Sequence, residues 1–445
     1  MTALWLSPFF DANSRHRYDA KSYYKVDPRL GDLNLLKTLV QRAHQQGMRV
    51  IFDMVPNHTS SRHPFFVNSR SRTNAALRDF YVWSNALPPG WHLPWGRGDE
   101  SARVWTRTDY GYYYHAFSPS MPDLNYLNPL VIQEMENVMR FYLNLGFDGI
   151  RLDAVRYLVE EGNTKTADAP TTHRVLKEFR TAVNEYPDDR YVVGEVWTDN
   201  DIVRSYYGNG NDELAECFNF QFSGSVAKTL EQADAEPIDA NISYLCRNLP
   251  HGSTPANFLV NHDNAGSRTM TRYNKDLRKV RLAVALNLLE FGTPYVYYGE
   301  EIGMEGQNGN DQNMRRPFRW PDAEAQAKDP QSLEAWHRNL IHARLGNAAL
   351  RHGDYRRVDT GDKQVYAFLR SASGQKALCL FNLNTTAAKE LTLNLAGELT
   401  RNAYAIIGHN GEGPPAAYRI SLKPGEVMVL SLDLPAEPIC ETPQN

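Results

Sequence analysis

The stretch Gly149-Ile150-Arg151-Leu152-Asp153 decides the fold of this chain. It predicts a short buried β-strand whose apolar residues end at a carboxylate. A helical pattern over residues 131–145 precedes it and closes at Gly146, a residue typical of helix ends. Because a helix that leads directly into a strand is part of a βα unit, this stretch predicts a parallel sheet.

The same alternation of strand and helix continues in both directions from this stretch. A helix predicted at residues 33–46, closed by Gly47, leads into one of six further predicted strands. These strands are residues 4–6, 49–55, 191–196, 218–222, 257–261 and 294–298. Polar residues end nearly every strand, which favours a (β/α)8 TIM barrel over a doubly wound sheet with one switch point. Since only seven strands are visible, we expect the first strand to lie before Met1.

Two stretches depart from this alternation. Residues 59–126 are irregular and rich in Trp, Pro, Gly and Tyr, and so long a connection is usually functional. We therefore predict an inserted subdomain there. Short alternating segments between turn residues predict an antiparallel β-sandwich at residues 350–435. The catalytic barrel would then comprise residues 1–58 and 127–349, incomplete at its N-terminus, as in a fragment of a longer gene product.

The composition excludes several classes of protein. The 445 residues are 42% hydrophobic and 22% charged with a net charge of -4, as in soluble globular proteins and without a basic footprint for nucleic acid. No apolar run is long enough for a membrane span. No signal peptide is visible either, but the beginning looks incomplete, so the compartment stays open, as does the oligomeric state.

The cysteines do not predict a metal or redox site. Cys217, Cys246, Cys379 and Cys440 contain no C-x-x-C pair. Free thiols are the favoured interpretation, and one or two disulfides are the alternative.

Two carboxylates, Asp153 and Glu195, stand at the ends of consecutive predicted strands. A pair about 5–5.5 Å apart suits retaining glycoside hydrolysis, whereas an inverting pair is about 6.5–9.5 Å apart. One carboxylate must be ionised to attack the sugar, and the other must carry a proton. Arg151 lies on the same strand face as Asp153 and would keep it ionised. Asp263 would be a third carboxylate, whose charge favours a protonated Glu195.

Five segments together resemble the α-amylase family of glycoside hydrolases, glycoside hydrolase family 13. They are residues 53–59 (DMVPNHT), 121–125 (MPDLN), 149–155 (GIRLDAV), 194–197 (GEVW) and 258–264 (FLVNHDN). The resemblance covers roughly residues 1–345, and the MPDLN form resembles the group intermediate between oligo-1,6-glucosidases and neopullulanases. It implies that Asp153 is the nucleophile, Glu195 the general acid/base and Asp263 the carboxylate that stabilises the transition state.

The resemblance also implies a set of substrate-binding residues. They are Tyr18, Asp19, His58, Arg151, His262 and Arg315. Tyr18 and Asp19 resemble a His-Gly-Tyr-Asp loop whose tyrosine stacks on the sugar, although Arg17 stands where the family usually has glycine. Arg315 opens a segment (RRPFRW) that resembles the family's Arg-Thr-Pro-Met-Gln-Trp element.

Calcium is an open expectation, and no organic cofactor is implied. Asn57 matches a calcium ligand of the family, and a carboxylate of the insertion such as Asp99 or Asp109 would add oxygen ligands. However, Tyr157 stands where calcium-binding members usually have histidine, and members without this calcium keep the asparagine.

Three classes of function follow from these residues. The first is a hydrolase of α-1,4-glucosidic bonds in starch-like glucans or malto-oligosaccharides. The second is a transglucosylase or an isomerase, since residues 153–157 (DAVRY) and 172–180 (THRVLKEFR) resemble trehalose synthases. The third is an inactive truncated relative, against which the intact Asp153, Glu195 and Asp263 argue.

Overall fold

The computed structural model describes residues 1–210, 212–263, 266–309, 311–398 and 403–432. The chain forms two compact units. The first comprises residues 1–218 with 250–253, and the second comprises residues 219–249 with 254–445.

The first unit contains a parallel sheet. The strands of the whole first unit are β1 (Ala3–Leu6), β2 (Phe10–Ala12), β3 (Ala20–Val26), β4 (Arg49–Met54), β5 (Trp83–Ser84), β6 (Trp105–Thr108), β7 (Gly111–Tyr114), β8 (Gly149–Leu152), β9 (Tyr191–Gly194) and β10 (Glu216–Asn219). Strands β1, β4, β8, β9 and β10 pair in that order and are parallel. Asp53 pairs with Arg151, and Leu152 pairs with Gly194. The residues that follow β8 and β9 therefore leave the sheet at the same level.

Two smaller antiparallel sheets accompany this parallel sheet. Strand β2 pairs with β3, and β5, β7 and β6 form a three-stranded sheet within the predicted insertion. Residues 59–126 therefore contain more β-strand structure than their irregular sequence pattern indicated.

The first unit also contains helices, and several of them begin at a residue whose side chain caps the helix. They are α1 (Leu33–Gln45), α2 (Pro64–Ser69), α3 (Ser101–Val104), α4 (Pro129–Leu145), α5 (Pro170–Val183) and α6 (Asn200–Val203). The side chain of Asn128 accepts a hydrogen bond from the Leu130 amide and caps α4. Gly47 and Gly146 adopt positive φ angles of 72° and 117° directly after α1 and α4. Both predicted helix ends are confirmed, and each leads into a strand that carries candidate site residues.

The second unit begins with α/β structure. Its helices are α7 (Phe220–Gln232), α8 (Glu236–Asn248), α9 (Thr269–Arg272), α10 (Leu277–Leu289), α11 (Asp311–Met314), α12 (Trp320–Gln326), α13 (Leu333–Gly346) and α14 (Ala348–His352), and β11 (Ala256–Phe258) pairs in parallel with β12 (Thr293–Tyr295). The strand predicted at residues 218–222 is wrong in its second half, because Phe220 begins α7. The side chain of Asn219 accepts from the Phe222 amide at 3.1 Å and caps that helix.

Antiparallel strands complete the second unit and confirm the predicted C-terminal β-structure. They are β13 (Arg356–Arg357), β14 (Val365–Ala372), β15 (Gln375–Asn382), β16 (Lys389–Leu393), β17 (Tyr404–Ile407), β18 (Tyr418–Leu422) and β19 (Val427–Ser431). Five strands form one sheet in the order β13-β14-β15-β19-β17, and β16 pairs with β18. Leu378 and Leu380 of β15 pack with residues of β16 and β18, whereas Cys379 and Phe381 pack with residues of α7, α10 and α13. Strand alternation thus buries both faces of this sheet.

Two further expectations concern the described residues. No helix among them is both long and apolar enough to cross a bilayer. Cys217, Cys246 and Cys379 are free thiols, as favoured from the sequence. Cys440 lies outside the described residues.

Candidate active site

Arg151 lies at the centre of three carboxylates in the first unit. Its side chain is 1% exposed, its Nη1 donates to Asp53 Oδ1 at 2.8 Å and to Asp153 Oδ1, and its Nη2 donates to Glu195 Oε2 at 2.8 Å. Burial alone would lower the pKa of Arg151, but the charges of Asp53 and the other two carboxylates raise it well above its usual value. One permanent buried cation therefore fixes the positions of both predicted catalytic carboxylates.

The backbone also fixes these two carboxylates. The Asp153 amide donates to the Met54 carbonyl at 2.9 Å, and the Glu195 amide donates to the Leu152 carbonyl at 3.0 Å. Each residue thus extends the parallel hydrogen-bond ladder by one step beyond its strand. Side chains held on strand ends are positioned more rigidly than side chains on free loops.

The two oxygens of Glu195 have different surroundings. Oε2 accepts from Arg151 Nη2 and from the Ala154 amide at 3.2 Å. Among the described residues, no hydrogen bond to Oε1 is present. Since the side chain is 14% exposed, Oε1 is the oxygen placed to exchange a proton with a ligand.

Asp53 is a site residue that the sequence interpretation assigned no role. It is fully buried, and its Oδ2 accepts from Trp5 Nε1 at 3.2 Å and from the Tyr18 hydroxyl at 3.0 Å. Its Oδ1 accepts from Arg151, so Asp53 positions the guanidinium and the Tyr18 ring together. A carboxylate inside an otherwise apolar strand was the signal that could have revealed it, because such burial requires a partner.

The loop that carries Tyr18 is folded around Asp19. The Asp19 carboxylate accepts from the Asn13 and Ser14 amides at 3.3 and 3.2 Å. Arg17 has a φ of 64°, a left-handed conformation that glycine adopts more readily. This conformation explains why glycine is usual at that position. Substrate binding by Tyr18 and Asp19 stays a prediction.

His58 presents an unpaired ring nitrogen in the first unit. It is 2% exposed, and burial lowers its pKa to about 4, so the ring is neutral near pH 7. Its Nε2 is buried and has no hydrogen-bond partner among the described residues. A neutral imidazole nitrogen in that state is suited to bind a hydroxyl group of a ligand.

Asp263, His262 and Arg315 come together within the second unit. Arg315 Nη2 donates to Asp263 Oδ1 at 2.9 Å, and His262 Nε2 lies 2.9 Å from Asp263 Oδ2. His262 is 3% exposed, while the Asp263 side chain is 32% exposed. His262 and Arg315, which come from different sequence motifs, therefore both contact the Asp263 carboxylate.

Asn57 lies beside a buried acidic pair in the first unit. Its Nδ2 donates to Asp123 Oδ2 at 3.1 Å. Burial raises the pKa of Asp123, and burial together with the charge of Asp123 raises the pKa of Glu160. Asn57 Oδ1 and Glu160 Oε1 are buried without a hydrogen-bond partner among the described residues. Two buried carboxyl groups and an amide oxygen in one place supply hard oxygen ligands of the kind that calcium prefers.

Acidic side chains of adjacent parallel strands, gathered around one buried arginine, are the arrangement expected of an α/β enzyme that uses carboxylates for acid–base or nucleophilic chemistry. The family model "Alpha amylase, catalytic domain" matches residues 1–347, and the chain belongs to that family of glycoside hydrolases. Its (β/α)8-barrel fold class is that of the α-amylase from H. orenii, which is 28% identical over 97% of this chain and 90% of that chain, with a TM-score of 0.85.

Similar relatives carry different names. Alpha-amylase 3 of Dictyoglomus thermophilum is 31% identical and the match covers 90% of this chain and 80% of the relative. The trehalose synthase/amylase of Mycolicibacterium smegmatis is 31% identical, with 86% and 77% covered. The alpha-glucosidase of Apis mellifera is 29% identical, with 92% and 78% covered. Family membership is thus shown, whereas these names differ in substrate.

Proposed function

We propose that this enzyme hydrolyses α-1,4-glucosidic bonds of malto-oligosaccharides or starch-like glucans with retention of configuration. The observation that carries the proposal is the sharing of one buried guanidinium by Asp153 and Glu195 at equivalent ends of adjacent strands. Such an arrangement suits a closely spaced carboxylate pair of the retaining type.

Hydrolysis takes two steps in this proposal. The Asp153 carboxylate attacks the anomeric carbon, the bond from that carbon to the glycosidic oxygen breaks, and Glu195 gives its proton to the departing oxygen. Water then attacks the same carbon, its proton passes to Glu195, and the ester bond to Asp153 breaks. Arg151 orients both carboxylates, and His58 binds a sugar hydroxyl. Asp263, which contacts His262 and Arg315, is the third carboxylate of the family motif.

The anomeric form of the first products tests this proposal. We expect maltoheptaose to yield short malto-oligosaccharides whose new reducing ends are α when first formed, as seen by early-time proton NMR. Two displacements at one carbon restore its configuration, which is the reason for this expectation. Products that form first as β anomers, or intact maltoheptaose after prolonged incubation, would contradict the proposal.

An isomerase on the same residues is a second candidate, supported by the similarity to trehalose synthase/amylase. In that case a hydroxyl group of the released glucose, instead of water, would accept the glucosyl group from Asp153. Maltose as the sole substrate distinguishes the isomerase from the hydrolase, because trehalose would form from maltose only by such a transfer.

We also propose a calcium ion at Asn57, with Asp123 and Glu160 as its carboxylate ligands. The described part of the chain contains no group of three or more His, Cys, Asp or Glu side chains arranged for a metal. In this proposal Asn57 and further oxygen atoms therefore complete the set of calcium ligands. Asp99, an alternative considered from the sequence, accepts instead from the Ser101 amide and hydroxyl. The ion would neutralise the buried carboxylates and stabilise the fold.

Removal of calcium is expected to lower the melting temperature. Chelation with EDTA should lower it by about 5 °C, because an ion that binds only the folded state stabilises that state. Added Ca²⁺ should restore the original value, and elemental analysis should find about one calcium per chain. An unchanged melting temperature together with metal-free purified protein would refute this site.

A further inference from the structure

The backbone on both sides of Arg315 is held by side chains from elsewhere in the second unit. The carbonyl of Met314, the residue before it, accepts from Arg268 Nη2 at 2.9 Å and from the Tyr297 hydroxyl at 3.1 Å. The carbonyl of the residue after it accepts from the Tyr298 hydroxyl at 2.6 Å. We call Arg268, Tyr297 and Tyr298 the carbonyl clamp. Hydrogen bonds before and after Arg315 limit the directions in which its side chain can leave the backbone.

Arg315 lies on a segment that needs such support. It follows the four-residue helix α11 and belongs to no strand. The carbonyl clamp ties this segment to the sheet, because Tyr297 and Tyr298 closely follow strand β12. Asp263, which accepts from Arg315 Nη2 at 2.9 Å, comes after the neighbouring strand β11. The carboxylate and the carbonyl clamp therefore share one pair of strands as their support.

Arg268 is the fully buried member of the carbonyl clamp. Its Nη1 donates to the Tyr298 carbonyl at 2.8 Å and lies 3.4 Å from Glu300 Oε1. Its guanidinium carbon lies 4.5 Å from the Tyr297 ring centroid and 5.2 Å from that of Tyr298. Because a buried cation is costly without such partners, these contacts hold the guanidinium in one place. Arg268 thereby joins both tyrosines to the Met314 backbone.

We propose that Arg268 is a positioning residue, which acts through Arg315 on the Asp263 carboxylate. The inference rests on the proposed function. The Asp263 side chain is 32% exposed, so it can meet ring hydroxyls of a bound glucose unit while Arg315 holds its Oδ1. Hydrogen bonds to such hydroxyls strengthen as the transition state forms. A displaced Asp263 therefore slows the chemical step more than it weakens substrate binding.

The effect of Arg268→Met should depend on the presence of Arg315. We expect kcat on maltoheptaose to fall about 10- to 100-fold, while KM changes by less than about threefold. In an Arg315→Met background, the same substitution should lower kcat by less than about threefold further, because the side chain through which Arg268 acts is already absent. An arginine that only stabilised the fold would cause similar losses in both backgrounds. Steady-state kinetics of the four proteins, each checked by circular dichroism, measure this coupling.

Tyr298→Phe tests the same role without removing a buried charge. It deletes only the hydroxyl that donates to the carbonyl after Arg315, on a side chain that is 38% exposed. We expect kcat to fall about 3- to 10-fold, as for the loss of one hydrogen bond, and the loss to vanish in the Arg315→Met background. The melting temperature should stay within about 2 °C of the wild-type value. This variant decides the question if Arg268→Met does not fold.

Two matched controls remove similar groups elsewhere. Arg370 is 1% exposed and also donates to backbone carbonyls of the second unit, at 2.7 and 3.1 Å. Arg370→Met should lower the melting temperature but leave kcat within about threefold. Tyr186 is a half-buried tyrosine of the first unit whose hydroxyl donates to a backbone carbonyl at 3.2 Å. Tyr186→Phe should leave kcat unchanged.

The outcomes separate the positioning role from the proposed function. Unchanged kcat in Arg268→Met and Tyr298→Phe, or equal losses with and without Arg315, would overturn the positioning role while wild-type turnover upholds the proposed function. A loss of kcat that requires Arg315 supports both. Wild-type protein that does not turn over maltoheptaose would instead refute the proposed function, and the positioning role with it.

Discussion

Asp153→Asn should lower kcat on maltoheptaose by about 10,000-fold or more while the protein stays folded. An amide cannot form the ester with the anomeric carbon, and yet it can still accept the hydrogen bond that Arg151 donates to Oδ1. The expected loss is therefore in the chemical step and not in the fold. Steady-state kinetics and circular dichroism measure the two effects separately.

The control for this variant lies at the other end of the same strand. Asp148 precedes β8, and its carboxylate accepts from the Val50 amide at 2.8 Å and from Arg49 Nη1 at 2.9 Å. Asp148→Asn should lower the melting temperature but leave kcat within about threefold, because the amino-terminal face of such barrels serves stability. If Asp153→Asn keeps more than about a tenth of the wild-type kcat, the assignment of the nucleophile is wrong.

Arg151→Met should destabilise the first unit by about 3–5 kcal/mol, because it leaves three carboxylates beside one another without their cation. Arg151→Lys keeps the charge, but a single ammonium lacks the planar fork that donates to Asp53, Asp153 and Glu195 together. We therefore expect the lysine variant to fold and to lose about 100-fold or more in kcat. Thermal unfolding and steady-state kinetics of both variants test these expectations.

Arg140→Met is the control for the loss of an arginine that binds more than one carboxylate. Arg140 pairs with Glu136 and Glu185 at 3.1 and 2.8 Å, but its side chain is 30% exposed. Its loss should cost less than about 1 kcal/mol, because solvent screens such pairs. If Arg151→Met melts within a degree or two of the wild type, the guanidinium does not hold the carboxylates as we describe.

The sequence was sufficient to predict the strands that carry the site, and particular residues show why. Asp153 and Glu195 each end an apolar run that is too short for a helix, and the run before Asp153 follows a helix that Gly146 ends. The sequence therefore indicated both the strands and their ends. The α-amylase family, also predicted from these motifs, is shown by the match over residues 1–347. The predicted roles of the individual residues stay predictions.

The sequence was insufficient where a role depends on contacts between distant segments. Asp53 lies inside an apolar strand, and only the parallel register places it beside Arg151. No local pattern around Arg268 predicts that its side chain meets the Met314 carbonyl, 46 residues away. Phe220 belongs to a run of alternating aromatic residues that is compatible with a strand, but capping by Asn219 makes it the start of α7.

The most direct test of the central claim is to trap the covalent intermediate and identify the labelled residue. The enzyme would be incubated with 5-fluoro-α-D-glucosyl fluoride, digested, and analysed by tandem mass spectrometry. We predict a fluoroglucosyl ester on Asp153 in wild-type enzyme and its absence from Asp153→Asn. A fluoroglucosyl ester on Glu195 or another residue, or turnover that yields β-glucose first without any adduct, would contradict the account.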